Sequence, residues 1–321
     1  MKVLVTGAGG FLGSHVVSAL LDRGHAVRAV LRPAAGEPPS SWKGRAEILR
    51  ADLRSPKDAE QWFEGIDSVI HLAAAVRGTP EAQFAGSVVA TEKFLDAMRR
   101  AGTARHLVLA GSFSVYDWTA SKKKMTEETP LESKPYERDG YTVAKLWQER
   151  VARRLSEKNG WTLTVLRPGF IYGPGAPEVT GAGFGVGKAY LVVGPLARLP
   201  LTHVENCAEA FADAAEKKIS GTFNIIDDEK VTAWGYSSRL FKNKPARLRL
   251  PFSYLAGLCL ATLAVGVSRL LFPPSGGKLP GLLVPRRYRA RFRPLRFDNH
   301  PAKTTLGWKP RPLFAAGGPV I

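Results

Sequence analysis

The segment Thr6-Gly7-Ala8-Gly9-Gly10-Phe11-Leu12-Gly13 constrains this chain more than any other. It follows the apolar run Val3–Val5 and opens Gly13–Arg23, where Val16, Val17, Leu20 and Leu21 recur at helical spacing. Strand, glycine turn and helix in that order begin a parallel α/β sheet that binds a dinucleotide. Gly7 permits the tight turn. Gly10 lets the backbone approach a pyrophosphate on the helix N-terminus, and Gly13 lets helix and sheet pack closely. The same residues could be a purely structural turn, but the flanking strand and helix, with a second strand expected at Ala26–Leu31, favour the dinucleotide.

Strand-like and helix-like segments then alternate. Ala46–Leu49, Ser68–Leu72, His106–Ala110 and Leu163–Leu166 read as strands, with helices near Asp58–Phe63, Val88–Arg100 and Thr142–Ser156. The expected fold is a Rossmann-type doubly wound parallel sheet covered on both faces, with a smaller C-terminal α/β substrate domain. After Pro168, the Gly- and Pro-rich stretch Gly173–Gly194 reads as a mobile loop, Asn206–Lys217 as a helix and Thr222–Ile226 as a strand. The dinucleotide domain is therefore expected over 1–170, with 200–226 returning to it. Residues 171–199 and 227–321 are left for substrate.

The end of the second strand bears on cofactor choice. An acid there would hold the ribose 2′-hydroxyl. The sequence instead reads Val27-Arg28-Ala29-Val30-Leu31-Arg32, and Arg32 falls where a guanidinium pairs with a 2′-phosphate, so NADP(H) is expected over NAD(H). The plain alternative makes Arg28 and Arg32 solvated strand ends. Asp52, in Ala51-Asp52-Leu53, could accept from the adenine amino group or serve as a cap or turn residue.

Tyr141-Thr142-Val143-Ala144-Lys145 puts a phenol and an ammonium at i and i+4 on one helical face. A free phenol titrates near pH 10, and a neighbouring cation favours its phenolate. The same ammonium can hydrogen-bond a ribose. Ser112, at the end of strand His106–Ala110, could hydrogen-bond a substrate oxygen.

These pieces together resemble the extended short-chain dehydrogenases/reductases, or NAD-dependent epimerase/dehydratase superfamily, from Met1 to about Pro310. The resemblance rests on Thr6–Gly13, His71-Leu72-Ala73-Ala74, Ser112 ahead of Val115-Tyr116, and Tyr141/Lys145. It also rests on Leu166–Gly175, His203-Val204-Glu205-Asn206 and Phe223-Asn224-Ile225. It implies Tyr141 as acid/base, Lys145 lowering its pKa and holding the nicotinamide ribose, and Ser112 polarising the substrate oxygen. The implied cofactor set is Gly7, Gly10, Phe11, Leu12, Gly13, Arg32, Asp52, Leu53, Ala73, Lys145 and the backbone at Pro168. Phe113-Ser114 stands where sugar dehydratases carry Asp-Glu, which disfavours dehydration. Ser87-Val88-Val89-Ala90-Thr91 lacks the usual Asn of that helix start, which leaves open what supports Lys145. Asp117 replaces a common glycine after Tyr116.

Arg32, the run Asn224–Glu229 and apolar Pro251–Phe272 resemble the hydroxysteroid dehydrogenase and dihydroflavonol reductase branch, which implies a hydrophobic alcohol or ketone substrate. A nucleotide-sugar epimerase or reductase is the alternative, with Arg286, Arg287, Arg289, Arg291, Arg293 and Arg296 as a diphosphate clamp. A non-catalytic dinucleotide sensor or scaffold is disfavoured by the retained Ser112, Tyr141 and Lys145.

The formal net charge of +18 is uneven: from Tyr236 on there are 16 Lys+Arg and one acid, Asp298. No nucleic-acid signature accompanies those arginines, so a nucleic-acid partner is not expected. Pro251–Ser268 carries no charge; it reads either as a buried helix or as a monotopic anchor between Lys242, Lys244, Arg247, Arg249 and the arginine cluster. Peripheral membrane contact through 251–296, a small-molecule substrate and a homodimer are the partners considered. No metal spacing links the histidines, and Cys207 and Cys259 cannot form a disulfide framework or zinc cluster. Without a charged leader and cleavage site, a cytoplasmic location is expected, at a membrane surface if the anchor holds.

Overall fold

The computed structural model describes residues 1–121, 123–176, 178–242, 248–272 and 279–315. Seven strands form its central sheet: β1 (Lys2–Thr6), β2 (Ala26–Leu31), β3 (Ala46–Arg50), β4 (Ser68–His71), β5 (His106–Ala110), β6 (Thr162–Pro168) and β7 (Gly221–Ile225). All pair in parallel, in the order β7-β6-β5-β4-β1-β2-β3. Val3, Leu4 and Val5 are all fully buried, because both faces of the sheet are covered and the strand has no polar side to alternate with.

The strand period of two sorts these residues between two cores. Val3, Val5, Val27 and Ala29 pack with α1 (Phe11–Asp22) through Val16, Val17 and Leu20. Leu4 and Val30 pack on the opposite face with Phe94, Leu95 and Met98 of α2 (Ala90–Ala101) and Ala152 of α3 (Gly140–Asn159). The first core is completed by α4 (Val204–Lys217), whose Phe211 is fully buried. Phe211→Ala would cost about 3–5 kcal/mol.

The chain runs outward from β1 through β2 and β3, then returns to place β4 on the other side of β1. That reversal makes the β1/β4 junction the switch point, and ligands of such sheets bind beyond the carboxyl ends of the strands there.

Several elements depart from the sequence-based expectations. Asp58–Phe63 is a tight 3-10 turn, Ala59–Phe63. The helix expected from Val88 begins earlier, with a π-helical turn at Ala85–Val89. Gly173–Gly194 is not a structureless loop. It contains an antiparallel hairpin, Gly183–Val186 with Ala189–Val193, because Tyr190, Val192 and Val193 bury their side chains. Gly183 is required there: a Cβ would lie 2.1 Å from the Leu191 carbonyl oxygen. Apolar Pro251–Phe272 forms the end of a strand, Leu248–Phe252, and then α5 (Tyr254–Leu271), which packs against α6 (Pro285–Phe292). Lys244 and Arg247 lie outside the described residues.

The motifs near the C-terminus act as fasteners. Asn206 donates to Asp227 (2.8 Å) and to the Arg311 carbonyl (2.9 Å), and the buried Trp308 indole donates to the Asn206 carbonyl (2.9 Å).

Candidate active site

The glycine turn meets the geometric demands placed on it. Gly7 has φ of +71°, and a Cβ on it would sit 2.8 Å from the Ala73 nitrogen. A Cβ on Gly13 would sit 2.1 Å from the Gly7 carbonyl oxygen. Gly10 caps α1 in extended conformation with no side-chain hydrogen bond, and the first turn holds no acid. The N–H groups around Phe11 and Leu12 therefore face a cradle suited to an anion. Register places the remaining cofactor candidates around it. Leu72 N–H donates to the Thr6 carbonyl (3.2 Å), which sets Ala73 beside Gly7. Ala8 N–H bonds the Val30 carbonyl, which brings the end of β2 alongside.

Arg28 and Arg32 part company. Arg28 is buried, donating to the Trp62 carbonyl (2.6 Å) and pairing with Glu47 (2.8 Å), so it is a structural residue and not a solvated strand end. Arg32, the first residue past β2, is exposed; its guanidinium has no hydrogen bond or ion pair among the described residues. Asp52 makes a turn, accepting from Arg54 N–H (2.9 Å) and holding the Arg54 guanidinium, which keeps its carboxyl below the usual range. The turn reading of Asp52 thus has direct support. Leu53 is buried beneath it.

Tyr141 lies in the first turn of α3, which is fixed from two sides. Asp139 caps it, accepting from Thr142 N–H (2.8 Å). Gly140 lets the segment Pro80–Phe84 press against it, since a Cβ would lie 2.8 Å from Pro80 Cα. Burial pushes the phenol's pKa up, the facing Ser112 hydroxyl pulls it down, and Asp139 adds to the rise. Ser112 lies two residues past β5, where it caps the turn Phe113–Val115 by accepting from Ser114 N–H (3.1 Å), so its own proton can go to the Tyr141 oxygen or a substrate oxygen.

Lys145 is turned inward. Its ammonium donates to the Ala110 carbonyl (2.8 Å) and to Gln148 Oε1 (2.8 Å), and burial draws its pKa down to about 8 against the opposing charge of Glu149. It is not among the groups setting the Tyr141 pKa, so in this arrangement burial overrides the cationic effect expected from the spacing.

The support for Lys145 is a buried polar chain that the sequence did not disclose. Gln148 Nε2 donates to the Ala73 carbonyl (2.9 Å) and to Thr91 Oγ1 (2.8 Å). Thr91 gives its own proton to the Ser87 carbonyl (2.6 Å), so toward His71 Nε2 (2.8 Å) it can only accept. His71 therefore carries its proton on Nε2, and Nδ1 accepts from Thr6 Oγ1 (2.7 Å). Burial, aided by the Lys145 charge, lowers the His71 pKa to about 3 and keeps it neutral. The chain runs from the end of β1 to Lys145. Ser87, at the place of the usual Asn, accepts instead from Ala75 N–H (3.0 Å). The one available signal was Gln148 at i+3 from Lys145.

Three of the six clustered arginines are held by protein groups. Arg286 bridges Asp117 (2.9 Å) and the buried Glu132 (2.5 Å), while Arg291 and Arg293 donate to the Thr180 and Trp118 carbonyls. Arg167, ahead of Pro168 on β6, pairs with Glu149 (2.5 Å) and lies over the Tyr116 ring (4.7 Å). Tyr116 donates to Asn224 (2.7 Å), tying β6, β7 and the Ser112 loop together.

The model of the NAD dependent epimerase/dehydratase family matches residues 3–225. An Arabidopsis thaliana 3beta-hydroxysteroid-dehydrogenase/decarboxylase, isoform 1, is 28% identical, covering 96% of this chain and 75% of its own. The Bos taurus sterol-4-alpha-carboxylate 3-dehydrogenase, decarboxylating, is 30% identical over 74% of this chain and 68% of its own. Among solved structures, MoeE5 in complex with UDP-glucose and NAD superposes with a TM-score of 0.69 at 23% identity, covering 97% of this chain and 94% of that one. The last likeness establishes the fold.

Proposed function

Since this chain belongs to the NAD dependent epimerase/dehydratase family and is an NAD(P)-dependent enzyme of the extended short-chain dehydrogenase/reductase type, we propose that it is an NADP(H)-linked oxidoreductase acting on a secondary alcohol or ketone of a hydrophobic, steroid-like substrate. The observation that carries this reading is Ser112, Tyr141 and Lys145 ranged beside a glycine cradle whose neighbouring cation, Arg32, makes no hydrogen bond or ion pair among the described residues. The sterol-acting relatives support the substrate class. The engagement of Arg286, Arg291 and Arg293 with protein groups speaks against a diphosphate clamp built from them.

Residues 1–170 and 200–226 serve the dinucleotide in this reading, and 171–199 with 227–321 serve the substrate. The α1 N-terminus, with Gly7, Gly10 and Gly13, would take the pyrophosphate, Arg32 the 2′-phosphate and Lys145 the nicotinamide ribose. When bound, the dinucleotide supplies the hydride donor or acceptor. Ser112 Oγ donates to the substrate oxygen and fixes it. Tyr141 Oη takes the alcohol proton in oxidation and returns it in reduction. Lys145, held by the Ala110 carbonyl and Gln148, would fix the nicotinamide ribose, and is the cation that would favour the phenolate once cofactor and substrate fill the site.

The test is steady-state oxidation of a panel of 3-hydroxysteroids with each cofactor, in wild type and Arg32→Ala. The expected result is turnover with NADP, and a KM for NADP raised about tenfold or more in the variant while NAD is little affected. Equal losses with both cofactors would remove the 2′-phosphate role. Inactivity on every steroid, with activity on a nucleotide sugar, would overturn the substrate class.

A further inference from the structure

Helix α5 has its residues arranged the wrong way round for a helix of a water-soluble domain. Its packed side consists of Tyr254, Gly257, Leu258, Ala261, Ala264, Val265 and Ser268, recurring at helical period. The approach is close because those residues are mostly small: a Cβ on Gly257 would lie 2.0 Å from the Tyr288 hydroxyl of α6. The large side chains point outward. Leu255, Leu260, Leu263, Val267, Leu270 and Leu271 are exposed, Leu263 to 64% and Leu270 to 81%. Even Thr262 hides its hydroxyl, donating it to the Leu258 carbonyl (2.8 Å). Mean hydropathy over the helix is 1.7, so both its inner and its outer face are apolar. A helix apolar all round belongs in a core or in lipid, and this one is not in the core.

Exposed apolar residues also occur on either side of the helix in the chain and on the neighbouring hairpin. Leu248 and Leu250 of the preceding strand and Phe272 are exposed, as are Val186 and Lys188 at the hairpin tip, where the Lys188 carbonyl accepts from Leu248 N–H (3.2 Å). Charge here has one sign. Arg269 stands exposed in the last turn of α5, and residues 183–193, 248–272 and 279–292 contain no Asp or Glu.

The ends of α5 argue against spanning. The strand before it pairs with Ala189–Val193, and α6 after it packs back along it, so both ends return to one folded body. At 18 residues and about 27 Å the helix is just long enough to cross a bilayer, so the course of the chain at its two ends, not its length, argues against spanning.

We infer that the outer face of α5 is a monotopic docking surface for a bilayer carrying anionic headgroups. The leucines enter the acyl boundary, while Arg269 reaches the headgroups. This does not rest on the assigned chemistry, and it would hold an apolar substrate and the enzyme at the same surface.

The test is co-sedimentation of the full chain with vesicles of phosphatidylcholine alone or mixed with phosphatidylserine. A polarity-sensitive dye on Cys259 gives a second readout, since Cys259 is exposed on this helix and Cys207 is buried. Leu260→Glu combined with Leu263→Glu touches no packed residue, and NADPH binding is its folding control. The wild type is expected to partition more strongly onto phosphatidylserine vesicles, with the dye shifted to an apolar environment. The double variant should bind vesicles at least about tenfold more weakly, with cofactor binding unchanged, because burial of one leucine is worth about that factor or more. Equal partitioning onto both vesicles, undiminished sedimentation of the variant, or a wild type that ignores lipid and pairs with a second copy through this face would each overturn it.

Discussion

Gln148→Leu isolates the polar chain behind Lys145. The side chain accepts from Lys145 and donates to the Ala73 carbonyl and Thr91, so leucine of similar size removes these bonds without opening a large cavity. A hydrogen bond to a charged group contributes about 1.5–3 kcal/mol. Losing it disfavours the charged ammonium, whose pKa burial has already lowered to about 8. At about 1.4 kcal/mol per pH unit, the alkaline limb of kcat/KM set by Lys145 should move down by about one to two pH units. Gln148→Glu retains an acceptor and adds charge, so its alkaline limb should move up. The assay is the pH profile of hydride transfer for all three proteins, with urea unfolding recorded alongside to separate stability from catalysis. Limbs that coincide in all three proteins, with the fold intact, would refute the claim that Gln148 governs Lys145.

Gly13→Ala should weaken NADPH binding severely in a fluorescence titration, because the added carbon meets the Gly7 carbonyl oxygen, a backbone atom with little room to yield; unchanged affinity would contradict the close packing. His71 and His106 are held neutral by burial, with pKa values lowered to about 3 and about 4. Below the ordinary value of 6.5 the unfolded chain binds protons there that the folded chain does not, so stability is lost as pH falls from about 6.5 toward 4, by about 1.4 kcal/mol per pH unit for each histidine. Urea melts across that range should show the slope, and His106→Gln should reduce it by about half; a flat profile would contradict the burial of neutral imidazoles.

The features legible in sequence are those set by local rules. The glycine turn, the apolar strands and the Tyr141–Lys145 spacing each follow from a few neighbouring residues, and the structure places them together at the strand ends. What escaped depends on partners distant in the chain. Gln148 gains its meaning only because the segment after β4 and the first turn of α2 bring Ala73 and Thr91 to it. Arg28 resembles a surface cation until the Trp62 carbonyl and Glu47 are seen around it. The hairpin in Gly173–Gly194 was hidden by its glycines, which read as flexibility but serve close approach, as at Gly183. For α5 the sequence showed an apolar helix, but only the packing on Tyr288 reveals that its small side is the buried one.

The central claim is that Tyr141 moves the proton while the dinucleotide cradle works independently of it. Tyr141→Phe removes one hydroxyl and leaves the cap at Asp139 and the Lys145–Gln148 contacts in place. The decisive measurement is single-turnover hydride transfer in that variant, paired with an NADPH titration. A fall in rate of about a hundredfold or more with cofactor affinity retained is the predicted result. Near wild-type turnover would contradict the assignment outright.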